Sequence, residues 1–62
     1  MTSHAETKRK ELGLSQDEVA KRTRISRQYY NAIENKKRKP SVELAKCIAS
    51  ELGVDWTIFF AE

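Results

Sequence analysis

With one cysteine, Cys47, and one histidine, His4, the chain has neither a partner for an internal disulfide nor the ligands of a zinc site. No window approaches the roughly 18 consecutive apolar residues of a membrane helix. Residues 1–10 hold no apolar core of a secretory signal. A cytoplasmic or nuclear location with no membrane partner is therefore expected. Proline occurs once, at Pro40, and glycine twice, at Gly13 and Gly53, so strong punctuation is sparse. Length is short as well. A chain of 62 residues buries only about 60% of the surface its unfolded form exposes, which leaves room for one modest core. A walled pocket with a nucleophile, a base and an oxyanion site is hard to fit beside such a core, and no phosphate loop, metal cluster or acid-base pair is visible. No enzyme activity, metal or cofactor is expected. The composition, 39% apolar and 34% charged, is that of a folding, soluble chain, and a binding module is the leading expectation.

Charge is present in quantity and unevenly placed. Residues 1–20 carry a balance of −1, residues 21–39 a balance of +7, and residues 40–62 a balance of −3, which together make the net +3. Glu34 is the only acid in the middle stretch, against Lys21, Arg22, Arg24, Arg27, Lys36, Lys37, Arg38 and Lys39. Such a concentration suits a polyanion; on charge alone, a solvated basic surface suits it equally.

Apolar spacing is helical throughout, and no run alternates with strand period. A weakly amphipathic first helix spans about residues 3–12 and ends at Gly13. It lacks large apolar residues, showing Ala5 and Lys8 instead, so its packing is expected to be thin. Ser15 and Glu18 have capping-box spacing and open a second helix over residues 16–23. Ser26 caps a third over residues 27–35, and Ser41 begins a fourth with an apolar stripe of Val42, Ala45, Ile48, Ala49 and Leu52. Asp55 caps a last short turn carrying Trp56, Ile58, Phe59 and Phe60. The expected fold is all-α, with five short helices in a single domain over residues 1–62.

The second and third helices are joined only by Arg24, Ile25 and Ser26, so they must cross steeply and leave the third projecting from the body. On a helical wheel Tyr30 and Ile33 face inward, while Arg27, Gln28, Asn31 and Ala32 face outward. An arginine forks onto guanine, a glutamine pairs with adenine, and an alanine methyl sits against a thymine methyl, so this row suits base edges in a major groove. Gln16 lies at a helix N-terminus, where free N–H groups and the helix dipole favour a phosphate. Tyr29 borders the core and reads either as a half-buried packing residue or as a contact to base or backbone. Asn31 points outward toward the backbone side of the row.

From Lys8 to Phe60 the chain resembles the Cro and lambdoid-repressor (XRE-type) helix-turn-helix family of bacterial, phage and plasmid regulators. The residues that carry the resemblance are Arg9, Leu12-Gly13-Leu14-Ser15-Gln16, Val19-Ala20, Ile25-Ser26-Arg27-Gln28, Ile33-Glu34-Asn35, Lys37, Pro40-Ser41 and Ala49 through Leu52-Gly53-Val54. The resemblance implies a lambda repressor-like domain that binds operator DNA as a homodimer, its helix-turn-helix at about residues 16–35, in the cytoplasm of a bacterial cell or phage-infected host and close to the nucleoid. It implies base contacts from Arg27, Gln28, Tyr29 and Ala32, and phosphate contacts from Gln16, Asn35, Lys37 and Arg38, to which the outward Asn31 is added. It also implies an internal ion pair between Arg9 and Glu34. Two positions depart from the family's pattern: Arg24 and Lys36 stand where glycine is usual, and a slightly altered turn is expected there.

Three of the five aromatics, Trp56, Phe59 and Phe60, lie in the last seven residues. With Val54 they form an expected dimer interface at about residues 54–62, because a core this small does not bury all three. Two copies would present two recognition helices to a palindromic operator, as expected of a transcriptional repressor in a phage, prophage, plasmid or bacterial promoter. A different class, an antitoxin or anti-repressor that holds a protein partner with the same aromatic end, stays open.

Overall fold

A computed structural model describes residues 3–60; residues 1 and 2 of the expected domain and residues 61 and 62 of the expected dimer region lie outside them. The described residues form α1 (His4–Glu11), α2 (Gln16–Thr23), α3 (Arg27–Glu34) and α4 (Val42–Leu52), and no strand. The expected fifth helix is a single 3₁₀ turn, Trp56–Phe59. Asp55 starts it by accepting from the Thr57 N–H at 2.9 Å, and four residues allow one turn of this tighter helix.

All four α-helices begin on a serine whose hydroxyl accepts the N–H three residues on, at Ser3, Ser15, Ser26 and Ser41. At Ser15 the box is closed by the Glu18 carboxylate, which accepts the Ser15 N–H at 3.0 Å. Helix ends are also alike. Leu14, Ile25, Lys37 and Val54 each donate to the carbonyl five residues earlier, at Arg9, Ala20, Ala32 and Ala49, which is the six-to-one bond of a Schellman ending. The residue before each donor is left-handed: Gly13, Arg24, Lys36 and Gly53, with φ of 72°, 62°, 61° and 70°. Arg24 and Lys36 thus take the conformation that glycine would take, and the turns are not remodelled around them. Leu14, Ile25 and Val54 then fold back against the core.

That core is Val19, Ala20, Tyr30, Ile33, Ile48 and Leu52, reached from α1 by Ala5 alone among apolar residues. Val42, expected in the inner stripe of α4, is 49% exposed instead. It is the first residue of the helix, and the buried residues of α4 are Ala45, Ile48, Ala49 and Leu52, with Leu44 half-buried against the core. No helix among the described residues is long and apolar enough to cross a membrane.

Candidate nucleic-acid interface

Helix α3 owes its position to its own sequence. Tyr30 and Ile33 are buried, and only the three-residue Arg24–Ser26 turn separates the helix from α2. The opposite face then carries Arg27, Gln28 and Asn31 fully exposed, with Tyr29 and Ala32 half-buried along its edge. Asn35 ends the helix, and the loop after it exposes Lys36, Lys37, Arg38 and Lys39. The Arg38 guanidinium lies over the Tyr29 ring, 5.4 Å from its centre. Ser26, Gln28, Tyr29, Ala32 and Arg38 together line a shallow notch, which places the loop beside the helix face.

Pairing sharpens the charge. Among the described residues Lys8, Lys10, Lys21 and Arg22 lie within 4 Å of Glu11, Glu6, Asp17 and Glu51, and Arg9 meets Glu34. Arg24, Arg27, Lys36, Lys37, Arg38, Lys39 and Lys46 have no carboxylate at that distance among the described residues. All of these but Lys46, on α4, gather on α3, the turn before it and the loop after it.

Beneath this face lies a buried ion pair. Arg9 Nε donates to Glu34 Oε2 at 2.8 Å and Nη2 to Oε1 at 3.2 Å, while Nη1 donates to the Leu14 carbonyl at 2.8 Å. The two residues are 8% and 2% exposed. Burial alone would raise the Glu34 carboxyl, but the hydrogen bonds from Arg9 and Gln16 outweigh it and hold the group below its ordinary range. The bond to Glu34 in turn raises the Arg9 guanidinium. Tyr30 sits beside the pair with its hydroxyl buried; the phenol feels the carboxylate without a well-directed hydrogen bond, and burial pushes its pKa upward.

A chain of amides runs from this pair to the surface. Gln16 Nε2 donates to Glu34 Oε1 at 3.1 Å, Asn31 Nδ2 donates to Gln16 Oε1 at 3.2 Å, and Asn35 Nδ2 donates to Asn31 Oδ1 at 3.1 Å. Sequence reasoning treats Gln16, Asn31 and Asn35 separately and misses this linkage. Asn31 and Asn35 stand four apart on one helix, which is a signal for it; the reach to Gln16 needs the α2–α3 crossing. At the far end of the chain Val54, Trp56, Phe59 and Phe60 are all half-buried, the Trp56 and Phe60 rings meeting edge-on at 6.0 Å and Lys46 Nζ lying 5.3 Å from the Trp56 ring centre.

A helix-turn-helix family model matches residues 6–59. The chain is 56% identical over 54 residues to the uncharacterized HTH-type transcriptional regulator YqaF of Bacillus subtilis, an alignment covering 87% of this chain and 71% of that protein. It is 49% identical over 45 residues to an uncharacterized HTH-type transcriptional regulator of Methanothermobacter thermautotrophicus, covering 73% of this chain and 65% of that protein. No solved structure matches.

Proposed function

The chain belongs to the XRE-type helix-turn-helix family and is a DNA-binding transcriptional regulator; from that premise we propose that it is a non-catalytic, cytoplasmic, homodimeric repressor of a palindromic operator. The observation that carries the proposal is the set of six unpaired cations around a helix whose outer face is polar. In this reading Arg27, Gln28, Tyr29 and Ala32 meet base edges, and Gln16, Asn31, Asn35, Lys37 and Arg38 meet phosphates. Arg9 and Glu34 hold α1 to the end of α3 and remove the one acid that would otherwise repel DNA.

Size supports the dimer. The chain measures 25 × 22 × 19 Å, whereas successive major grooves on one face of a duplex lie about 34 Å apart. One copy reaches one half-site, and a second copy is needed for the other. Val54, Trp56, Phe59 and Phe60, half-buried at the C-terminal end, are the self-complementary patch in this proposal.

In vitro selection of bound duplexes tests the reading. Selected sites are expected to be inverted repeats whose half-sites are one helical turn apart. Asymmetric single sites, together with a monomer in light scattering at micromolar concentration, would remove the dimer and favour a protein partner for the aromatic end.

A further inference from the structure

Beside the basic loop, sharing Arg38 with the notch of the reading face, lies a cleft of about 230 Å³. Ile33, Ile58 and Phe59 supply its apolar floor, the first turn of α1 forms a wall, and Lys36, Arg38 and Lys39 stand around it. None of these three cations has a carboxylate within 4 Å among the described residues. The acid in the wall, Glu34, is 2% exposed and already committed to Arg9 and Gln16, so it does not neutralise them.

An apolar floor beneath unpaired cations is complementary to a molecule with a hydrocarbon body and one anionic head. A site smaller than the roughly 300–1,000 Å³ of drug-sized pockets sets the body at about ten non-hydrogen atoms. We propose that this cleft binds a small amphipathic carboxylate, an alkyl or aryl acid, and that its occupation weakens operator binding. The second half rests on the DNA-binding reading above. Lys36, Arg38 and Lys39 belong to the same short loop as Lys37, and Arg38 also lines the notch of the reading face, so a carboxylate held in the cleft draws charge away from the phosphates that the loop would meet. Linkage makes the effect reciprocal, with DNA weakening the acid by the same factor.

Sodium octanoate is the probe, with octanamide as its neutral counterpart. In amide NMR spectra of the full chain, octanoate is expected to shift Ile33, Lys36, Ile58 and Phe59 saturably, with a Kd of about 1 mM. Octanamide and the Lys39→Gln variant should each weaken this binding several-fold. Fluorescence anisotropy should then show operator affinity falling at least about fivefold in saturating octanoate relative to the same concentration of sodium chloride. Absence of saturable shifts overturns the site, as does equal binding of octanamide or a cleft already filled by the chain's own residues beyond Phe60 that octanoate does not displace. Octanoate binding with unchanged operator affinity overturns the regulatory role alone. Octanoate binding by a chain that binds no operator at all counts against the DNA reading and leaves the ligand site standing.

Discussion

Arg9 and Glu34 show how much one pair of residues supports here. A charge buried without its partner is strongly destabilising, by about 3–5 kcal/mol, and a 62-residue domain holds on the order of 3–9 kcal/mol in total. Arg9→Met is therefore expected to remove about a third or more of the chain's stability, read as a much lower urea midpoint of the helical circular dichroism. Glu34→Gln keeps the shape and loses the charge, so its urea midpoint should fall without complete unfolding. The pH dependence has a definite sign. The Glu34 carboxyl is depressed in the folded chain, so its contribution is present above the unfolded carboxylate value of about 4.3 and is lost as pH falls through the lower folded value. Acidification below about pH 4 should lower the urea midpoint of the wild-type chain, and Glu34→Gln should flatten that decline. It should not abolish it, since Glu18 and Asp55 are also held low by hydrogen bonds at their helix starts, to Ser15 and Thr57.

Among the elements, most boundaries are legible because this chain marks them with side chains. Each α-helix starts after a serine, and two end at glycine, so the second helix is read at its observed limits and the others within a residue or so. The inward Tyr30 and Ile33 and the outward Arg27, Gln28 and Asn31 follow from helical period alone. What is not legible depends on neighbours. Periodicity puts Val42 on the same stripe as Ala45 but does not say that cover begins only after the helix's first residue. Nor does it reveal that Gln16, Asn31 and Asn35 are joined, because that needs two helices at a fixed crossing. The turns at Arg24 and Lys36 are a third case. A non-glycine residue is strained in the left-handed region, by on the order of 1 kcal/mol, and both keep that conformation. Arg24→Gly and Lys36→Gly should each raise thermal stability, by about 0.5–1 kcal/mol or roughly 3–6 °C, measured by thermal melts. In the DNA-binding reading each also removes one unpaired cation, so operator affinity should fall as stability rises.

For the whole molecule, the modest net charge of +3 conceals a polar arrangement. Internal ion pairs consume most cations elsewhere and leave those of α3 and its flanks to face an external anion. Contacts of two kinds then separate by their response to sequence. Arg27→Ala should cost about 1–3 kcal/mol at one base position and relax preference there, while Lys37→Ala should weaken all duplexes alike and reduce the salt slope by about 1 per copy, or about 2 for the dimer. Side-by-side anisotropy titrations on a selected site and a single-base variant distinguish the two. The most direct test of the account is the affinity of the folded wild-type chain for a selected operator at increasing salt. Four to six phosphate-contacting cations in a dimer imply a fall on the order of a hundredfold to a thousandfold between about 50 and 200 mM salt. A chain that keeps its helical spectrum yet binds no duplex, or binds one with an affinity indifferent to salt, would contradict it.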